Sequence, residues 1–249
     1  MNTVAVIPAR FASSRFPGKP LAKDTGKYLI QHVYERVCQA SSLDGVLVAT
    51  DDERIGKACD EFGGRWCMTR TDHPSGTDRI AEAVANLDAD TIVNVQGDEP
   101  EIAPGHIDRL VELIRGDRRA EMATLSAVFA AGEDVNNPNV VKVVVDQHGH
   151  ALYFSRWPIP YNRDSQPQSS IIYRKHLGLY AYRREALLQL SRLTPTPLEK
   201  AEKLEQLRAL ENGMVIAVAE VQHTAVGIDT PQQYEEFVKR YKKYDEVSK

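Results

Sequence analysis

The chain has 249 residues and a formal net charge of −4, which argues against a general nucleic-acid binder, since such proteins are usually basic. No apolar run approaches membrane-spanning length, and the first one is too short for a secretory signal. Cys38, Cys59 and Cys67 show no CxxC spacing, which argues against a disulfide framework or a zinc site and fits a reducing, cytoplasmic setting.

Taken in order, Val4-Ala5-Val6-Ile7 reads as a buried first strand. The segment after it, Pro8 to Leu21, carries Arg10, Arg15 and Lys19 among small residues. Pro8, Pro17, Gly18 and Pro20 keep it out of any helix. A loop at the carboxyl end of a first strand is where open α/β sheets bind ligands. Guanidinium forks and an ammonium there suit a polyphosphate. The loop has neither the GxxxxGK[ST] nor the GxGxxG spacing of the common phosphate cradles.

Ile30, Val33, Tyr34 and Val37 predict an amphipathic helix over 28–40, and Gly45 to Thr50 a second strand. Asp51-Asp52-Glu53 is read as opening a helix, where carboxylates complement the macrodipole, rather than as a metal site. Ile55, Ala58, Cys59 and Phe62 give that helix one apolar face, Gly63-Gly64 ends it, and 65–69 is a short strand. In His73-Pro74-Ser75-Gly76-Thr77-Asp78-Arg79, Ser75 and Asp78 have capping-box-like spacing ahead of Ile80, Ala83, Val84 and Leu87. The same free N–H groups, with small Ser75 and Gly76, could admit a nucleotide.

A fourth strand over 90–95 runs into Gln96-Gly97-Asp98-Glu99-Pro100. A carboxylate at the end of a buried strand is well placed for Mg²⁺, which takes one or two carboxylates plus substrate phosphates. After a helix over 104–115, the strand–helix alternation gives way to a strand over 122–129 and a hairpin joining 140–145 to 151–154. Arg156, Arg163, Arg174, Lys175 and His176 follow as a set of cations suited to an acidic ligand. Thr196-Pro197-Leu198-Glu199 is a capping box that predicts one helix over 196–212, with Leu198, Ala201, Leu204 and Leu207 as its stripe. Glu202, Glu205 and Gln206 would share another face. After a strand over 214–221, Thr230 and Pro231 open a terminal helix, leaving Asp229 just outside it to cap or to bind metal.

These stretches resemble the 3-deoxy-manno-octulosonate (Kdo) cytidylyltransferases along the whole chain. The motifs carrying the resemblance are I-P-A-R through P-G-K-P-L, H-x-S-G-T-D-R, Q-G-D-E-P, S-R-x-x-I-P with K-H-x-G-x-Y, L-E-x-x-E-x-L-E-Q-L-R and I-D-T-P, in the family's order. One departure is Glu101, where the family usually has an apolar residue. The resemblance implies an α/β fold of the nucleotide-diphospho-sugar transferase type. That fold is a mixed, mainly parallel sheet flanked by helices, with an inserted antiparallel hairpin region. A single domain over 1–249 is expected, with 122–182 as an insertion on the sugar side or at a dimer contact.

The resemblance further implies transfer of a cytidylyl group from CTP to Kdo, for lipopolysaccharide synthesis, by a cytoplasmic homodimer. Ala9, Arg10, Arg15, Lys19, Ser75, Gly76, Arg79 and Gln96 would bind the nucleotide. Arg10, Arg15, Lys19 and Asp98 would be catalytic, with Asp98 and Asp229 on Mg²⁺. Arg156, His176, Tyr180, Glu205 and Gln206 would hold the sugar. Sialic acid activation is a rival, but that class's first loop ends in K-N where this chain has Lys19-Pro20. The 8-amino analogue of Kdo is a further alternative acceptor. A non-catalytic nucleotide or sugar-acid sensor would lack a metal carboxylate, and both are present here.

Overall fold

The apolar runs of the first half form parallel strands, and the polar turns between them carry helices on the sheet faces. The computed structural model describes residues 2–12, 15–164, 171–222 and 227–247. Ser13 and Ser14 of the basic loop, and the end of the polar loop that runs to Ser170, lie outside the described residues. The contacts group the chain into two compact units, one of Met1–Ala89, Asn94–Ile107 and Ala225–Lys249, the other of Asp90–Val93 and Asp108–Thr224. The sequence reading had one domain with an insertion over 122–182.

The first unit holds β1 (Thr3–Ala9), α1 (Leu29–Val37), β2 (Gly45–Thr50), α2 (Glu53–Glu61), β3 (Trp66–Met68) and α3 (Gly76–Val84). The strands lie in the order β3-β2-β1, all parallel. Ala5, Val6, Ile7, Val33, Val48, Ile55, Cys59 and Ile80 form its interior. Asp52 caps α2 by accepting from the Arg54 N–H at 2.9 Å, so the acidic cluster serves the helix, as expected. The chain then passes through β4 (Thr91–Asn94) and α4 (Pro104–Gly116).

The second unit adds β5 (Met122–Val128), β6 (Lys142–Val145), β7 (Ala151–Ser155), β8 (Arg174–Arg183), α5 (Arg184–Leu190), α6 (Pro197–Glu202), α7 (Gln206–Glu211) and β9 (Ile216–Glu220). Here the order is β4-β8-β5-β9, with β5 antiparallel to β8 and parallel to β9. The expected hairpin is present as β6 and β7, and β6 also meets β8 at Lys142 and Lys175. The terminal helix α8 (Pro231–Val247) belongs to the first unit, where Tyr234 and Phe237 pack on Leu29 and Ile228. The class is therefore α/β, with a mixed sheet and flanking helices, as the sequence implied. No helix among the described residues is long and apolar enough to cross a membrane.

One expectation is overturned. The helix read over 196–212 is two short helices, because Lys203 adopts φ 55° and ψ 47° between them. Leu198 and Ala201 are consequently exposed, while Leu204 and Leu207 are buried. The capping box itself is present, with the Thr196 N–H donating to Glu199 at 3.1 Å.

Candidate active site

In the first unit, the end of β1 and the loop after it turn back on themselves. The Gly18 N–H donates to the Phe11 carbonyl at 3.0 Å, and its φ of 71° lies in the left-handed region that glycine tolerates. A 3₁₀ turn, Lys19–Leu21, follows and aims Lys19 inward. Its Nζ donates to Asp98 Oδ2 at 2.9 Å and to the Ile228 carbonyl at 2.7 Å, and lies 3.8 Å from Asp229 Oδ1. Arg15 reaches Asp229 Oδ1 at 2.9 Å from a more exposed position.

Two backbone features bring the carboxylates together. Ile228 N–H donates to the Asp98 carbonyl at 2.8 Å, which sets the start of α8 beside the end of β4. Gly97 lies so close to β1 that a Cβ there would sit 2.9 Å from the Pro8 carbonyl oxygen. Gly97 is thus a positional requirement that the sequence reading passed over as a turn residue. Thr230 caps α8 by accepting from the Gln233 N–H at 3.3 Å, so the Asp229 carboxylate is left to the cations. Glu101, the departure from the family pattern, pairs with Arg240 of α8 at 2.6 Å.

Ala9, Arg10, Arg15, Lys19, Gln96, Asp98 and Asp229 line one cavity of about 350 Å³. The remaining nucleotide candidates, Ser75, Gly76 and Arg79, sit at the start of α3. Ser75 caps α3, accepting from the Asp78 N–H at 3.1 Å, and Gly76 packs near Pro8. Arg79 is fully buried, and its guanidinium donates to Asp51 at 2.6 Å and to Thr69 Oγ1. It ties α3 to the segments after β2 and β3.

The donor set fits a hard dication. Asp98 and Asp229 offer only oxygen, and both lie within 4 Å of one ammonium. Among the described residues no third carboxylate, histidine or cysteine joins them, which suits an ion that completes its shell with water and phosphate oxygens. Next in the chain, burial and then the Asp98 charge push the Glu99 carboxyl up to about 7.

In the second unit, His176 and Tyr180 lie on β8. His176 Nε2 is 3.0 Å from Thr124 Oγ1, and its ring meets Phe154 and Tyr180 at centroid distances of 5.0 and 5.3 Å. Burial, then the Tyr182 and Glu205 charges, push the Tyr180 phenol up. Gln206 is buried at the start of α7. Three of the cations expected on this side have partners within the fold. Arg174 pairs with Glu220 at 3.1 Å and Lys175 with Glu133 at 2.6 Å. Arg156 donates to the carbonyls of Pro138 and Glu202 at 2.9 and 2.7 Å.

Burial also lowers His176 to about 3, and burial with the Lys27 charge lowers His32 to about 4. Both are neutral at working pH, whereas an unfolded histidine titrates near 6.5. Below that value the unfolded chain takes up protons that the native chain refuses. Stability is therefore full above about pH 6.5 and falls as the pH drops toward 4. Urea unfolding at several pH values should give this slope, and His176→Gln should flatten it. An unchanged slope in the variant would count against a buried, neutral His176.

A cytidylyltransferase family model matches residues 4–216. The 3-deoxy-manno-octulosonate cytidylyltransferase of Pelobacter propionicus is 54% identical over 239 residues, covering 93% of this chain and 94% of its own. That of Geobacter metallireducens is 49% identical over 252 residues, covering 98% and 99%. A solved CMP:2-keto-3-deoxy-manno-octonic acid synthetase complexed with CTP matches with a TM-score of 0.93 at 45% identity, over 98% of this chain and 100% of its own. A cytidylyltransferase from Leptospira borgpetersenii, at 16% identity and a TM-score of 0.62 over 96% of this chain and 85% of its own, shares the fold. With its cationic loop and its two carboxylates in one cavity, the chain belongs to the cytidylyltransferase family, among the 3-deoxy-manno-octulosonate cytidylyltransferases.

Proposed function

We propose that this chain transfers the cytidylyl group of CTP to Kdo, giving CMP-Kdo and pyrophosphate. The observation that carries the reading is the cavity in which Arg10, Arg15 and Lys19 meet Asp98 and Asp229, in a chain alike over its full length to a synthetase complexed with CTP. The sugar hydroxyl attacks the α-phosphorus, a new P–O bond forms, and the bond to the β-phosphate breaks. Arg10, Arg15 and Lys19 bind the triphosphate and neutralise the charge that grows on the leaving pyrophosphate. Asp98 and Asp229 would hold the divalent ion, read here as Mg²⁺. Such an ion, when bound, supplies charge neutralisation and lowers the pKa of a coordinated hydroxyl.

In the same reading His176, Tyr180, Glu205 and Gln206 serve the sugar acid. His176 does so as a neutral hydrogen-bonding group rather than as a cation. A cytoplasmic homodimer completes the proposal, and the exposed Leu152, Trp157, Tyr161 and Ile172 supply apolar surface for a second copy to cover.

Pyrophosphate release tests the reading. CTP with Kdo should support turnover, and ATP or GTP should be at least about a hundredfold worse in kcat/KM, the discrimination a shaped pocket can reach. Comparable turnover with purine triphosphates would refute the cytidylyl assignment. A panel holding Kdo, its 8-amino analogue and sialic acid identifies the acceptor.

A further inference from the structure

A straight helix over 196–212 would keep Glu202, Glu205 and Gln206 on one face. The chain breaks at Lys203 instead, where a non-glycine residue sits in the left-handed region. No other non-glycine residue among those described has a positive φ. Such conformations persist only where the surroundings over-determine them, and they gather at functional sites.

The surroundings of Lys203 are specific. Arg156 Nε donates to the Glu202 carbonyl at 2.7 Å, Nη2 to the Lys203 carbonyl at 3.4 Å and Nη1 to the Pro138 carbonyl at 2.9 Å. The Glu202 carboxylate returns the contact, accepting from the Arg156 backbone N–H at 2.9 Å and from Ser155 Oγ at 2.7 Å. Across the break, Arg208 holds Glu199 with bonds of 2.8 and 2.5 Å and lies 3.6 Å from Glu205. The final carbonyls of a helix have no partner within it, and Arg156 supplies one for two carbonyls at the end of α6. Its planar fork can serve several acceptors at once.

We propose that Arg156 is a positioning residue that holds the break between α6 and α7, so that Glu205 and Gln206 begin a new helix at a fixed angle instead of continuing the old one. The proposal rests on the reading that Glu205 and Gln206 hold the sugar acid. Arg156 then affects sugar binding through the backbone at 202–206.

Arg156→Met and Arg156→Lys test it, through amide hydrogen exchange in substrate-free protein and through KM for each substrate. In the Met variant the amides of Leu207 and Arg208, which donate to Leu204 and Glu205, should exchange faster. KM for the sugar acid should rise about tenfold, the effect expected from losing one charged hydrogen bond, with KM for CTP unchanged. The Lys variant, whose ammonium can also donate to carbonyls, should recover part of both. Raised sugar KM with unchanged exchange would overturn the proposal in favour of a direct sugar contact. Faster exchange with unchanged sugar KM would overturn it as well. If exchange in the Met variant also rises throughout β5 and β8, the fold has loosened and the Lys variant decides by the same criteria. Gln206→Ala judges the underlying reading separately. An equal rise in both KM values would remove the sugar role from this stretch, while the exchange data still decide whether Arg156 holds the break.

Discussion

Asp98→Asn should lower turnover by about a thousandfold while CTP binding falls far less, because an interaction made mainly in the transition state appears in kcat. The substitution keeps the shape and the ability to accept hydrogen bonds, but removes one of the two carboxylates that, among the described residues, converge in the cavity. It also weakens the hold on Lys19, whose ammonium lies 2.9 Å from Asp98 Oδ2 and keeps the Ile228 carbonyl as an acceptor. Lys19 can still meet the triphosphate, so ground-state binding has reason to survive. Asp229→Asn should behave similarly, though its carboxylate is more exposed and also faces Arg15. The double variant should fall well short of the summed losses if both carboxylates serve one ion. Steady-state kinetics over a range of Mg²⁺ concentrations, with CTP affinity measured separately, supply the test. Full turnover by Asp98→Asn at saturating Mg²⁺ would defeat the mechanism.

What the sequence revealed and what it hid follow from the range of the forces involved. The strands and the caps at Ser75, Thr196 and Thr230 are local, and their signals lie within a few residues of one another. The meeting of Asp98 with Asp229 is not local. It depends on the Ile228 to Asp98 backbone hydrogen bond, and only the family resemblance anticipated it. Charges are the least legible. Arg79 and Arg156 have the same composition whether they face a phosphate, a carboxylate of the fold or a row of carbonyls, and in the structure they meet the last two. The break at Lys203 was hidden for a related reason. Leu198, Ala201, Leu204 and Leu207 satisfy helical spacing, but contacts from Arg156 and Arg208 on both sides outweigh that preference. The neutrality of His176 is a consequence of burial, which a K-H-x-G-x-Y pattern does not encode.

Lys142→Met should destabilise the protein by about 3 kcal/mol, in the range for stripping one partner from a buried charged network. A lysine on a strand ordinarily points to water, yet this one is fully buried. Its Nζ donates to the carbonyls of Asn137, Val140 and Arg156 at 3.0, 2.8 and 2.6 Å. Two effects oppose each other. Burial disfavours the charge and pushes the Lys142 pKa down from its ordinary value, so methionine, of similar length and apolar, removes a desolvation penalty. Against that, three acceptors lose a charged donor, at about 1–3 kcal/mol for each one left unsatisfied. The partly exposed carbonyls can recruit water, which keeps the net loss near the lower end of the sum. The third carbonyl belongs to Arg156, whose side chain holds the α6–α7 break. Loss of Lys142 should therefore also raise KM for the sugar acid, and more than KM for CTP. Thermal unfolding should shift by roughly 6–12 °C for a chain of this size. A variant within about 0.5 kcal/mol of the parent, the range of an ordinary surface substitution, would mean that the three carbonyls find water as good a partner as Lys142.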